Sequence, residues 1–529
     1  MRRWNGWGDD TITYPLPSGA TEILAALVGP GTPPRDAALD AVVAGVPSTR
    51  LPAHPLISTD ALERVRHARG QGFPDLIALR SGRIPVFPDG VAYPLGGDDV
   101  RALLQYARQA GVRIIPYSGG TSVVGHINPQ PGDAPVLTVD LSRMNRLLHL
   151  DEQDRLATFG PGVTGPDLEA QLRARGYTLG HYPQSFELST LGGWIATRSS
   201  GQQSLGYGRI EHLFAGGHLE SPAGALDLPP FPASAAGPDL RELVLGSEGR
   251  LGILTEAIVR VRPLPQEEAF HALFFPDWRA ARTAVRRIVQ AGIPLSMLRL
   301  STPVETTTTL ALAGHAEVIR TLERLLAVRH IGAAKCMLVV GFTGSAAMVA
   351  AGRKRALALA RAYGAVHLGR LLGRQWQRTR FRAPYQRNEL WERGYGVDTV
   401  ETATTWSNVP AMLTAVEAAL RHALGDCGER VHVFTHLSHL YPQGSSLYTT
   451  FLFRLAAGPA ETYERWHRLK TAASRAIVAH GGTISHQHGV GVDHQPYLAA
   501  EKGPLGIAAI ANVLQTFDPE GLLNPGKLV

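Results

Sequence analysis

Pro116-Tyr117-Ser118-Gly119-Gly120-Thr121-Ser122-Val123-Val124-Gly125 is the stretch on which the reading of this chain turns. It follows Val112-Arg113-Ile114-Ile115, a short run with the β-branched, apolar character of a buried strand. Glycines directly after such a strand let backbone N–H groups approach an anion without obstruction from Cβ, and Ser and Thr add hydroxyl donors. A diphosphate suits this loop, although Gly-Gly-Thr-Ser also makes an ordinary turn. The loop lacks the Gly-Lys-Ser/Thr of a Walker sequence and the G-x-G-x-x-G of a Rossmann fingerprint.

Two more loops of the same kind follow. One runs from Pro183 through Gln184-Ser185-Phe186-Glu187-Leu188-Ser189-Thr190-Leu191-Gly192-Gly193 to Thr197, then Ser199-Ser200-Gly201. Ser189 and Thr190 are placed to cap a helix opening at Gly192-Gly193. The other is Gly246-Ser247-Glu248-Gly249-Arg250-Leu251-Gly252-Ile253. Any one of them reads as a turn; three, beginning at residues 116, 183 and 246, point to one shared ligand.

Around the loops the pattern alternates between helix and strand. Asp98 reads as the cap of a helix with Val100, Leu103, Leu104 and Ala107 on one face and Gly111 as its stop. Strands are expected over 136–141, 156–159 and 253–262, with a helix over 166–175 between the last two. Residues 1 to about 80 show many prolines and short helical patterns without strand alternation. Beyond Pro263 and Pro265 come Ala-, Arg- and Leu-rich helices over 277–291 and 344–363, with β-like runs at 336–342 and 447–453.

The 529 residues exceed one ordinary core, so two or more domains are expected. Lys plus Arg (52) outnumber Asp plus Glu (45), a mild excess that suits anionic ligands or an anionic membrane surface and lacks the dense basic block of nucleic-acid binding. Cys336 and Cys427 form no metal-like spacing and no disulfide framework. The two arginines at 2 and 3 have no apolar run behind them, and no stretch approaches the roughly 18 apolar residues of a membrane span. A cytoplasmic location, with peripheral membrane contact in view, is the expectation.

Together the three loops resemble the FAD-binding domain of the vanillyl-alcohol oxidase and p-cresol methylhydroxylase superfamily, over about residues 83–265. The resemblance implies an α+β fold: a PCMH-type FAD-binding domain, a cap domain with an antiparallel sheet flanked by helices, and a helical N-terminal segment. The implied division is 1–82, 83–265, 266–480 and a C-terminal segment, 481–529, packing near the flavin. It also implies that Pro116, Ser118, Gly119, Gly120, Thr121, Ser122, Pro183, Ser185, Ser189, Thr190, Gly192, Gly193, Thr197 and Ser200 cradle the cofactor. Glu248, Gly249, Gly252 and Ile253 would lie along its adenine and ribose. Covalent members carry a His near the position of Thr121, and neither cysteine lies in this domain, so non-covalent FAD is implied.

A narrower resemblance comes from Arg3-Trp4-Asn5-Gly6-Trp7-Gly8, which is similar to the opening of the alkyldihydroxyacetonephosphate synthase family. Asp398 to Trp406, Ser438-His439-Leu440-Tyr441 and Gly481 to Gly491 agree with it. That family exchanges the acyl group of an acyl-dihydroxyacetone phosphate for a long-chain alcohol, so a lipid-phosphate substrate is implied, with a homodimer carried as an expectation. The chemistry requires a base, a phosphate anchor and an apolar tunnel. Tyr448 matches the family's proton-transferring tyrosine, though a packed core tyrosine is the plain alternative. His486 and His488, two apart on an extended segment, would both face the flavin; a metal on the pair lacks an obvious third ligand. Arg299 matches the phosphate-neutralising arginine, with a surface ion pair as the alternative, and Arg387 is a second anion anchor. His439 supports the site. Gln487 and Ala403 depart from the family's His and Ser. The alternative activity is an FAD-dependent oxidase or dehydrogenase of a 2-hydroxy acid such as lactate or glycolate, whose families share the FAD domain and a closing Asn524-Pro525-Gly526-Lys527 segment.

Overall fold

The computed structural model describes residues 2–314 and 316–529. Three larger sheets organise them, with a two-stranded ribbon of Tyr177–Thr178 and Arg262–Pro263 beside them. The first glycine loop leaves a four-stranded sheet ordered Ile57–Ser58, Gly90–Ala92, Val136–Asp140, Arg113–Tyr117, in which the last three strands are parallel. Parallel strands must be covered on both faces. Helix Gly97–Ala110 supplies one cover through Val100, Leu103, Leu104 and Ala107, all buried. The helix starts before Asp98, whose carboxylate pairs with Arg101 and caps nothing; Gly111, at φ 64°, ends it as expected.

Beside this sheet lies an antiparallel one, ordered Leu147–Asp151, Leu156–Phe159, Ile253–Arg260, Phe214–Ser221, Gly224–Leu228. Its buried face packs on helix Leu191–Thr197 and on the C-terminal helix Gln495–Phe517, which bends at Gly503.

The third sheet has seven antiparallel strands: Val366–His367, Glu267–Phe275, Cys336–Gly344, Met297–Ser301, His432–Leu440, Gly444–Arg454 and Tyr395–Thr405. Its two faces divide by the period-2 rule. Leu298, Leu300, Leu338, Val340, Val433, Leu437 and Phe451 form a core with helices Trp278–Gln290, Ala346–Ala362, Val409–His422 and Pro459–Ala479. Their neighbours Arg299, Val339, Phe434, His436, Tyr448 and Thr450 face the first two sheets and line a cavity. The chain ends against the first sheet, where Ile114 donates to Leu522 O at 2.9 Å and Asn524 donates to Ile114 O at 2.7 Å.

Candidate active site

One cavity of about 1060 Å³ runs between the glycine loops and the seven-stranded sheet. All eighteen loop residues expected to hold the cofactor line it, from Pro116 to Ile253. A Cβ on Gly119 would run into the Leu188 carbonyl, so the first two loops close on each other only with glycine there. Ser118 Oγ and Thr190 Oγ1 are buried without a hydrogen-bond partner. Two idle hydroxyls on a glycine cradle make a site for phosphate oxygens. Ser189 does not cap the helix; its Oγ accepts from Trp194 Nε1 at 2.7 Å.

In the third loop, the Glu248 carboxylate accepts from Val490 N at 2.5 Å and Gly491 N at 2.8 Å, with His126 Nε2 at 3.2 Å. It braces the loop against the segment after the histidines. Burial opposes its ionisation, but His126 and the two backbone N–H groups outweigh that and hold it below the usual carboxylate range. Arg250 points to the chain end, donating to Leu523 O and Asn524 O.

Opposite the loops, Tyr448 stacks on His436 with ring centroids 5.1 Å apart and meets His488 edge-on at 5.9 Å. Burial, reinforced by the charges of Glu401 and Asp398, pushes its phenol up to about 12, against a Thr399 hydrogen bond that pulls the other way. Tyr448 pairs with Glu401 on one side and His436 on the other, so three strands present one rank of polar groups. A register shift between Leu437 and Leu440 re-aims His439 onto the same face, where its Nδ1 lies 3.1 Å from Ser200 Oγ.

The two histidines of the 486–488 segment do not share a direction. The segment is a turn-rich loop, so the alternation of a strand does not apply. His488 lines the cavity, whereas His486 lies behind it, stacked on His439 at 5.0 Å. His486 Nε2 is 2.7 Å from both Arg209 Nη1 and Tyr441 Oη. Arginine only donates, so Nε2 is the acceptor and the ring proton sits on Nδ1, facing Glu401 Oε2 at 3.5 Å. Glu401 Oε1 gathers Ser485 Oγ and the N–H groups of His486, Gln487 and His488 at 2.7–3.1 Å. Although burial opposes its ionisation, His488, His486 and Gln487 N–H hold that carboxyl well below its ordinary value.

The two arginines also differ. Arg299 donates to the buried Glu305 at 2.6 Å and to Ser301 at 3.0 Å, so its charge is answered within the protein. Arg387 donates once, to Gln71 O at 2.6 Å, while its Nε and Nη2 are buried without partners. The opening Trp-Asn-Gly-Trp positions it: Asn388 accepts from Trp7 N and donates to Trp7 O, and Arg2 donates to Gly119 O at 2.6 Å. The N-terminal turn thereby ties helix Ala383–Trp391 to the first loop. An apolar part of the lining comprises Leu24, Leu27, Leu310, Ile319, Leu322 and Leu452.

Arg209, Tyr441, Glu305 and Glu401 complete this site without having been expected. A single Glu on a strand reads as solvated surface, and their partners lie far away in sequence. The alternation His432, Phe434, His436, Ser438 was the available signal for the cavity-facing strand.

Family models for an FAD binding domain and for the C-terminal domain of FAD linked oxidases match residues 88–226 and 264–528. The chain is 31% identical to an alkyldihydroxyacetonephosphate synthase of Trypanosoma brucei brucei, over 89% of its length and 78% of the relative. It is 30% identical to the same enzyme of Dictyostelium discoideum, over 100% of its length and 93% of the relative. The chain belongs to the alkyldihydroxyacetonephosphate synthase family. A solved structure of that synthase superposes with a TM-score of 0.85 at 28% identity, covering 100% of this chain and 99% of the other. The fold extends further, to p-cresol methylhydroxylase at a TM-score of 0.67 and 14% identity. Membership accounts for the glycine cradle: the idle hydroxyls of Ser118 and Thr190 fit the diphosphate of FAD. Among the described residues, no helix is long and apolar enough to cross a membrane.

Proposed function

We propose that the chain is an FAD-dependent alkyldihydroxyacetonephosphate synthase, exchanging the acyl group of an acyl-dihydroxyacetone phosphate for a long-chain alcohol. The observation that carries this reading is that one cavity gathers the glycine loops with the hydroxyls of Ser118 and Thr190, the side chains of Tyr448, His488 and Arg387, and a set of leucines and isoleucines. A 2-hydroxy acid needs no such apolar lining.

FAD, held by the three loops, supplies the electron-accepting ring on which the exchange depends. The rest falls to the chain. Arg387 Nε and Nη2 bind the substrate phosphate, a planar fork matched to an oxyanion. Arg299, neutralised by Glu305, holds His436 and through it the plane of Tyr448. The Tyr448 Oη and the His488 ring take and return the substrate's C–H proton, in a pocket dry enough to keep the phenol protonated at rest. His486 acts through His439 and is a positioning residue. The apolar part of the lining takes the alkyl chain, and Gln487, which lines the cavity and whose buried Oε1 has no partner, accepts a substrate hydroxyl.

FAD is held non-covalently in this reading, because Thr121 replaces the attaching His and neither cysteine lines the cavity. Peripheral membrane contact is supported by Val318, Leu325 and Val328, exposed at 64%, 60% and 76% beside the apolar part of the lining. The test is incubation of FAD-loaded protein with palmitoyl-dihydroxyacetone phosphate and hexadecanol. An ether-linked product by mass spectrometry is expected; free palmitate without ether would refute the exchange. Acid precipitation should leave the flavin in the supernatant, and flavin in the pellet would show a covalent link.

A further inference from the structure

Arg380 lines the cavity and takes no part in the roles assigned so far. It follows helix Leu371–Thr379 and is clamped among aromatic rings. Its guanidinium carbon stands 4.6 Å from the ring centroid of Tyr182, 4.8 Å from that of Phe381 and 5.8 Å from that of Trp376. Phe381 in turn stacks on Phe186 of the second glycine loop at 5.0 Å. The backbone is pinned as well, since Gln184 Nε2 and Gln202 Nε2 donate to Arg380 O at 2.7 and 3.3 Å. Ring faces and a fixed backbone together restrict the plane of the guanidinium fork.

Little within the protein answers this charge. Arg380 Nη1 donates to Gln203 Oε1 at 3.0 Å, and no carboxylate lies within ion-pair distance of the fork among the described residues. Glu268 acts on it from farther off, and its two oxygens already accept from Gln203 Nε2 at 2.9 Å and Gln377 Nε2 at 2.7 Å. Burial pushes the guanidinium below its ordinary value, with Glu268 pulling the other way, yet an arginine stays charged. Of the other arginines in the lining, Arg299 is held by Glu305 and Arg382 is exposed. Arg380 and Arg387 are left as two partly buried cations without a carboxylate, and a cation taken out of water favours an anionic ligand.

The proposed exchange handles two oxyanions. The C–O bond on the dihydroxyacetone side breaks, and its electron pair leaves on the fatty carboxylate. The alcohol oxygen makes the new C–O bond while the alcohol gives up one proton, so nothing is oxidised or reduced overall. We infer that Arg380 is the anchor of the fatty carboxylate, with the phosphate left to Arg387. This rests on the proposed exchange. The aromatic walls suit that division, because a carboxylate carrying an alkyl chain loses less hydration on entering them than a phosphate does. The free edge of the fork offers the carboxylate charged hydrogen bonds.

The test is calorimetric titration of the FAD-loaded full chain with decanoate, with decanol as the uncharged control and dihydroxyacetone phosphate as the phosphate control. Arg380→Gln should weaken decanoate by about 10- to 100-fold and leave decanol and dihydroxyacetone phosphate nearly unchanged. Arg387→Gln should do the reverse, weakening dihydroxyacetone phosphate and sparing decanoate. No decanoate binding by wild type, equal effects of Arg380→Gln on decanoate and decanol, or a loss confined to dihydroxyacetone phosphate would each overturn the inference. Should Arg380→Gln fail to keep its flavin, phenylglyoxal labelling of wild type, read by peptide mass spectrometry, decides instead. Decanoate should shield Arg380 and decanol should not; identical labelling with the two ligands would overturn the inference. A wild type that holds decanoate through Arg380 yet forms no ether would remove the exchange reading and leave the carboxylate site in place.

Discussion

Arg299 Nη2 stands 2.6 Å from Glu305 Oε1, whereas Arg387 has no carboxylate within ion-pair distance among the described residues. Removing Arg299 leaves a carboxylate whose side chain is 4% exposed without its guanidinium, with His436 Nδ1 at 2.9 Å its remaining charged or chargeable neighbour. Arg299→Met should therefore destabilise the fold by about 3 kcal/mol. Adding Glu305→Gln should restore much of that loss in denaturant unfolding; an unchanged midpoint in the single variant would show the pair to be energetically idle.

Arg387 should behave in the opposite way. Arg387→Gln gives up one backbone contact and removes the two partnerless buried donors of a side chain that lines the cavity. The KM for a phosphate-bearing substrate should rise by about 10- to 100-fold, the worth of a charged hydrogen bond or two. A neutral analogue should be affected far less. Equal changes for both ligands would take the phosphate away from Arg387.

Acid sensitivity follows from the same carboxylate. Burial works against ionisation of Glu305, but Arg299 and His436 outweigh it and bring the group down to about 2. A folded value below the unfolded one means stability that is fully present above the ordinary 4.5 and lost as pH falls toward 2. The difference corresponds to about 3 kcal/mol. Glu305→Gln should flatten that part of the stability profile between pH 5 and 2; an identical slope in the variant would mean other groups govern acid unfolding.

Tyr448→Phe should lower turnover by about 10²- to 10⁴-fold while the protein stays yellow, because only the Oη is lost and the ring still stacks on His436. Full activity would return Tyr448 to the ordinary packed tyrosines.

Glu401 is the other end of the histidine loop's support. Replacing it by Ala leaves the N–H groups of His486 and Gln487 without their acceptor, and that of His488 with Ser485 Oγ alone at 3.2 Å. A loss of about 2–3 kcal/mol and faster amide exchange confined to residues 486–488 are expected. Exchange unchanged at those amides would mean that the loop holds itself.

What the sequence made legible was mostly backbone chemistry. The glycine loops stand out because a close approach and a positive φ restrict the residue type locally, whatever the rest of the chain does. The strands 156–159 and 253–260 and helix Gly97–Ala110 were legible from periodicity, except for the start of that helix, where Gly96 in an extended conformation precedes Asp98. The directions of side chains were harder. His486 and His488 looked equivalent because residues two apart agree on a strand, but their backbone turns. That Arg299 is held by Glu305 while Arg387 keeps two donors without partners carried no mark in the sequence. Buried carboxylates such as Glu401, Glu305 and Glu248 carry no local mark, since each is explained only by partners brought in by the sheet register.

The most direct test of the central claim is anaerobic absorbance of the FAD-loaded protein, mixed separately with palmitoyl-dihydroxyacetone phosphate and with lactate or glycolate. The account predicts a spectral change with the phosphate ester, palmitate released, ether formed when hexadecanol is added, and no electron acceptor consumed. Lasting bleaching by the 2-hydroxy acid, recovered on admitting air, with no response to the ester, would contradict it.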